Sequence, residues 1–329
     1  MITKFEKKYL SSSDNVVFPS SWEDLDPLQF ISTLCLLMEF KEKRYDVREF
    51  QLRLFIELSN IRSRSILKKD YQWFEKEIFR NLDKMNFCFR FVYDDPKFKN
   101  LDVKMQNKLK KINPENIPGE PEAVVARTFK RSVEIDASIS RQMIPQVFLG
   151  LKKYEGYKFE LIGDIVKTTI TAEQYINALT FISLLAKDKS SEYIDLLVAS
   201  LYCKNYSETT VLDNAGKFKM LNPIIKYAIL FNFESILQWI SNETKYSVLF
   251  RQGKKSEKIS LGLNAVIFSM TEKGYGNPKE ISAMNLIDFL ELMYKNLVDS
   301  ITQLSEAKMD KLEIAKKLNL TLEQINQFI

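Results

Sequence analysis

Residues 26–38 read Asp26-Pro27-Leu28-Gln29-Phe30-Ile31-Ser32-Thr33-Leu34-Cys35-Leu36-Leu37-Met38. The first four form a helix start. An aspartate oxygen there accepts from first-turn amides that have no partner within a helix, proline suits the first helical position, and a glutamine three residues on reaches back to close a capping box. Behind it Leu28, Ile31, Leu34, Cys35 and Met38 recur at the spacing of one helix face.

The same signature opens four further segments: Asp46-Val47-Arg48-Glu49, with Phe50, Leu54 and Leu58 in register, Thr171-Ala172-Glu173-Gln174, Asn277-Pro278-Lys279-Glu280 and Thr321-Leu322-Glu323-Gln324. Helical periodicity also runs through residues 69–87, 98–112, 191–202, 223–244, 259–271 and 281–305. Only nine glycines and nine prolines occur, which argues against a turn-rich β-sandwich. The prediction is a mainly α protein of two helical lobes, residues 1–112 and 161–305, joined by an irregular Pro/Gly-containing linker or insertion at 113–160, with a small C-terminal helical hairpin at 306–329. In the linker, Pro114, Pro118, Gly119, Pro121, Pro145, Gly150 and Gly156 interrupt every long period. Val133–Ile139 alternates apolar and polar and is predicted as a short strand. Residues 246–260 carry Arg251, Lys254, Lys255 and Lys258 around Gly253, an exposed basic loop. Gly274-Tyr275-Gly276-Asn277-Pro278 follows a helix rather than a strand, so it reads as a left-handed helix end and a new cap, not a phosphate loop.

The chain has 329 residues and no histidine. That excludes Ser-His-Asp and Cys-His catalysis and histidine-ligated metal sites. Cys35, Cys88 and Cys203 are scattered among apolar neighbours and read as buried thiols in a reducing compartment. The Lys-rich start lacks the apolar stretch of an export signal. The longest apolar stretch, 224–240, is broken by Lys226, Asn232, Glu234 and Gln238, so no segment is expected to span a membrane. A net charge of +5, spread along the chain, is no nucleic-acid footprint by itself. Asp94-Asp95 precedes Pro96 as in a turn, and Asp288, Glu291 and Asp299 fit helix surfaces. No catalytic, cofactor-binding or metal-ligating residue is assigned, no cofactor is expected, and the protein is expected not to be an enzyme.

What remains are faces for binding. Within Lys97–Ile112, Phe98, Leu101, Met105, Leu109 and Ile112 share one face, with lysines around the rest. Such a helix docks in a partner's groove, on a membrane surface or on RNA, or it packs on its own core. Residues 312–329 have the rhythm of a helix-turn-helix. Ile314, Ala315 and Leu318 lie on the first helix, Asn319-Leu320-Thr321 form the turn, and Leu322, Ile325 and Phe328 lie on the second. Leu322–Ile329 holds no lysine or arginine and includes Glu323, so a helical docking hairpin is favoured over a DNA reader. Trp22 precedes the first strong helix, where a bulky residue staples onto the first turns. Phe231, Phe233, Trp239 and Trp73 are expected to pack in the core. The candidate partner-binding residues are Trp22, Phe30, Phe98, Leu101, Met105, Leu109, Leu322, Ile325 and Phe328.

Three strings carry a family resemblance. Phe18-Pro19-Ser20-Ser21-Trp22-Glu23-Asp24-Leu25-Asp26-Pro27-Leu28-Gln29-Phe30 is similar to an opening of phage and prophage tail-module proteins of Bacteroidetes-type hosts. Ile170-Thr171-Ala172-Glu173-Gln174-Tyr175, followed by the Leu-rich helix Glu192–Tyr202, resembles their second half, as does Gly274–Phe289 with Asn285-Leu286-Ile287-Asp288-Phe289-Leu290. The resemblance implies a tail assembly chaperone-like protein or a related virion component without enzymatic activity, working in the host cytoplasm or within an intracellularly assembled particle. Its partners would be tape-measure or other tail and particle proteins, with a homo-oligomer compatible and neither membrane nor nucleic acid expected. The alternative is a nucleic-acid-binding protein using the C-terminal helix-turn-helix-like segment and basic loops. A third class, an enzyme built on paired carboxylates, requires a deep acidic pocket.

Overall fold

A computed structural model describes residues 19–59, 82–114, 119–203, 206–250 and 263–329. The chain divides into two compact units, residues 1–137 and 138–329. Phe18, Trp73, most of the helix read at 69–87 and the basic loop beyond residue 250 lie outside the described residues.

In the first unit, helix α1 (Pro27–Lys41) starts as its sequence dictates. Asp26 accepts from the amides of Leu28 and Gln29, and the Gln29 side chain accepts from the Asp26 amide at 3.0 Å. Helix α2 (Val47–Ser59) opens on the Glu49 N–H donated to Asp46 Oδ1 at 2.8 Å. The two helices pack on each other. Their core side chains, Phe30, Leu34, Leu37, Phe50, Leu54 and Phe55, are buried. Strand β1 (Phe89–Tyr93) turns Phe89, Phe91 and Tyr93 inward. Phe89 meets Phe40 and Phe50 edge-on at 5.1 and 4.8 Å, within the range of favourable aromatic pairs. Strand β2 (Arg131–Ile135) pairs antiparallel with β1, and Arg90 Nη2 bonds Glu134 Oε2 at 2.8 Å directly across the ladder. Trp22 donates its indole N–H to Asp136 O at 2.7 Å and packs edge-on against Phe30, in the first turn and a quarter of α1. Thus the expected staple exists and also holds the end of β2.

The amphipathic segment read as one helix over 98–112 is two pieces. A 3-10 turn covers Pro96–Asn100 and helix α3 covers Val103–Leu109. The cause is Asp102, whose carboxylate accepts from the amides of Lys104 and Met105 and so starts a new helix where the apolar period ran on unbroken. The common face survives the break. Phe98 and Leu109 are buried beside Phe91, Tyr93 and Ala126, with Leu101, Met105 and Ile112 packed against them.

The stretch read as irregular, 113–160, is largely ordered into elements. Helix α4 (Pro121–Arg127) and β2 belong to the first unit, and the hairpin of β3 (Gln146–Leu149) and β4 (Lys152–Glu155) belongs to the second. The strand read at 133–139 is β2, which starts earlier and ends at Ile135. A second hairpin follows, β5 (Phe159–Ile162) and β6 (Ile165–Thr168). The helices of this unit are α5 (Ala172–Asp188), α6 (Ser191–Leu201), α7 (Glu208–Phe218), α8 (Pro223–Glu243), α9 (Ser247–Phe250), α10 (Leu263–Glu272), α11 (Pro278–Ala283), α12 (Leu286–Glu306), α13 (Lys311–Leu318) and α14 (Leu322–Ile325). The single helix read at 281–305 is broken after α11, where Asn285 caps α12 through the Ile287 amide and leaves the helical line to bridge to Thr171. Across the described residues the protein is mainly α-helical with three small two-stranded sheets. Gly274 has φ +81, the left-handed helix end expected of it, and Asn277 caps α11.

Candidate interaction surface: two hairpin arms on a helical base

Helices α6 and α8 form the base. They pack on each other, α6 also against α5 and α7. Leu197, Val198, Ala199, Phe233 and Ile236 are buried between them and their neighbours. Inside this apolar layer Lys226 Nζ donates to Asp195 Oδ1 at 2.6 Å and to Lys219 O at 3.2 Å, with the Lys226 and Asp195 side chains 9% and 5% exposed. A buried ion pair is tolerated only when each charge answers the other and further hydrogen bonds complete the shell.

Polar side chains of the base hold the extended segment that leads into the hairpins. Asn232 of α8 accepts from the Met143 amide at 2.8 Å and donates to Arg141 O at 3.0 Å. Tyr202, just past α6, donates to Ile144 O at 2.5 Å. Between the hairpins Gly156 donates its N–H to Pro145 O and Tyr157 donates its own to Leu201 O, both at 2.9 Å. A Cβ at Gly156 would sit 2.8 Å from the Tyr202 ring and closer still to Gln142 Nε2, so only glycine fits. Burial pushes the Tyr157 and Tyr202 phenols well up, Tyr157 also feeling Tyr202. At the second hairpin Phe159 O accepts from the Gln142 amide at 2.8 Å, and Asn285 Nδ2 donates to Thr168 O.

From this base both hairpins project with the same construction. Each has four-residue strands and a two-residue loop whose first residue is a glycine at positive φ, Gly150 at +57 and Gly163 at +61. A Gly-first loop of that kind matches the right-handed twist of the strands. In the first arm Val147 and Tyr154 face inward and are buried, while Phe148 is 56% exposed and Leu151, in the loop, is fully exposed. In the second arm the Ile162↔Ile165 pair and the Leu161↔Val166 pair fall on opposite faces. Ile165 is 66% exposed, with Leu161 and Ile162 also exposed. Among the described residues, none of 146–153 or 160–167 makes a hydrogen bond outside its own hairpin. The first arm rests one face on the base, with Tyr154 against Phe218 at 5.0 Å, and leaves Phe148 and Leu151 uncovered, whereas the second arm has exposed apolar side chains on both faces. Two-stranded ribbons of this size are marginal in water, and uncovered apolar side chains of this kind mark a surface that meets another protein.

The candidates read from sequence are placed elsewhere. Trp22, Phe30, Phe98 and Leu109 are buried in the first unit, and Leu101 and Met105 are half-buried there. Ile325 is buried and Phe328 packed in a cluster with Ile301, Ile314 and Ala315. Leu322, at the start of α14, is the exposed member of the set, 41% accessible. The faces read at 98–112 and in the C-terminal hairpin are filled by their own core, the commonest fate of such a stripe. The face read on α1 is not: Leu28 and Met38 are 76% and 46% exposed, and the helix instead buries Phe30, Thr33, Leu34 and Leu37. Cys88 and Cys203 are buried thiols as read, and Cys35 is half-buried. The arms escaped because four-residue strands are too short for alternation to register. The signal present was the pair of Gly-X loops, Gly150-Leu151 and Gly163-Asp164, between β-formers.

A cleft of about 260 Å³ lies by the start of α5, lined among others by Lys158, Thr171, Gln174, Cys203 and Tyr206. Its helix end is already satisfied. The Ala172 amide bonds Met284 O at 2.9 Å, and Thr171 and Gln174 cap each other. Among the described residues no group of three or more Cys, Asp or Glu side chains is placed to hold a metal ion, and no helix is long and apolar enough to cross a membrane. Compared with known protein families, with curated proteins and with solved structures, the chain matches none.

Proposed function

We propose that the chain is a non-enzymatic assembly factor or structural protein whose work is to hold other proteins, with the two hairpin arms as its contact surface. The observation that carries this reading is the exposure of Phe148, Leu151, Leu161, Ile162 and Ile165 at the tips of ribbons anchored to a tightly bonded helical base. Rigid anchoring matters because a contact surface whose base is preorganised loses less entropy on binding. The resemblance of three strings to phage tail-module proteins supports a particle-assembly setting, with tail or tape-measure proteins as partners. The test is to purify the full chain and a Leu151→Ser/Ile165→Ser variant from cells making the neighbouring gene products. The reading expects defined partners with the parent chain and their loss with the variant, at equal thermal stability. Unchanged partners with the variant contradict it.

The nucleic-acid alternative is less well supported. Helices α13 and α14 do flank a turn with Asn319 in the left-handed region, but α14 is a single turn of four residues, short for a helix that reads a groove. The exposed side chains of the second helix, Leu322 and Glu323, and of the residues just past it, Asn326 and Gln327, bring no cation toward phosphates.

A further inference from the structure

We infer that the partner of each arm is the other arm of a second copy of this chain, so that copies join head to tail. The inference rests on the proposal that the arms are contact surfaces and names their occupant. Within one chain the two hairpins form separate sheets, so each leaves strand edges unpaired at its tip. Phe159 O and Thr168 O at the base of the second arm are already taken by Gln142 and Asn285. The tip-side residues of the equal, four-residue strands can pair and close a four-stranded sheet, the size at which such ribbons become stable. The charges are complementary. In the first arm Lys153 pairs with Glu155 at 2.9 Å, which leaves Lys152 beside the loop without a carboxylate. In the second, Glu160 and Lys167 oppose each other in register, which leaves Asp164 in the loop without a cation. One tip is therefore positive and the other negative, and both are apolar. Like tips repel and unlike tips attract, which selects the heterologous contact over the symmetric one. A heterologous contact closes into a ring or continues as a filament.

The test is sedimentation velocity of the full chain over the micromolar to millimolar range, beside two arm variants, Phe148→Ser/Leu151→Ser and Ile162→Ser/Ile165→Ser. The parent chain should form species larger than a dimer, shrinking as salt is added. Each variant alone should be monomeric, and the two mixed should give a one-to-one dimer and nothing larger, since only one intact contact is then available. A parent chain that stays monomeric overturns the inference, as does either variant that still dimerises alone, or a mixture of folded variants that does not combine. Should serine substitutions unfold the chain, Lys152→Asp and Asp164→Lys serve instead. Each alone should weaken association several-fold, and the doubly exchanged chain should regain it. No recovery overturns the inference. A monomeric parent chain whose partners still depend on Leu151 and Ile165 would reject self-association while leaving the arms as contacts for a different protein.

Discussion

Lys226 and Asp195 form an ion pair, Nζ to Oδ1 at 2.6 Å, between two helices that also bury Leu197, Val198 and Ile229. Lys226→Met leaves the Asp195 carboxylate buried without its cation, and a broken pair of this kind costs about 3–5 kcal/mol. The double variant Lys226→Met/Asp195→Leu removes both charges and should recover most of that loss. Urea unfolding of the three chains checks the order. A single variant as stable as the parent would show that the pair is not buried.

Asn232 serves two main-chain groups of one segment, the Met143 amide and Arg141 O. Asn232→Ala strands both, and each buried group left without a partner costs about 1–3 kcal/mol. Because those groups fix the approach to the first arm, amide exchange at residues 141–149 should quicken more than in α1. Uniform exchange rates would argue against Asn232 as an anchor.

Gly156 sits where a side chain has no room. Gly156→Ala should destabilise the second unit by about 1–3 kcal/mol through overpacking against Tyr202. Tyr202→Phe in the same chain should not relieve it, because the clash is with the ring and not the hydroxyl. Thermal melting of the two variants reads this directly.

Several phenols are held neutral. Burial raises Tyr45 to about 12, with Glu39 adding to the effect, and raises Tyr157, Tyr175 and Tyr202 further. Each folded value lies above the unfolded one near 10. The stability they contribute is therefore complete below pH 10 and is lost as pH climbs through the folded values. Absorbance titration should show most of the tyrosines ionising in an ordinary step and a remainder appearing only with alkaline unfolding. A single step near pH 10 with the helical signal intact would contradict the packing.

How far the sequence reaches follows from the range of each cause. Asp26, Thr171 and Asn277 cap helices through bonds within three residues, so their helix starts are legible in the chain itself. Asp102 acts locally as well, yet the apolar period from Phe98 to Ile112 masks it, because a helix break leaves the face intact when both pieces pack on one core. The Lys226–Asp195 pair and the Asn232 bonds join residues 31 and about 90 positions apart, and nothing in a single sequence ties them. The arms were hidden by brevity, and the candidates chosen for their apolar spacing proved mostly to be the residues that hold the core together.

If the arms are contact surfaces, their tips touch protein when the chain is at work. Photo-crosslinking side chains placed at Leu151 and at Ile165, with one at exposed Lys308 as control, test it in the producing cell. Discrete protein adducts are expected from the two arm positions and none from the control. Equal labelling at all three, or none at the arms while the chain is folded, would contradict it.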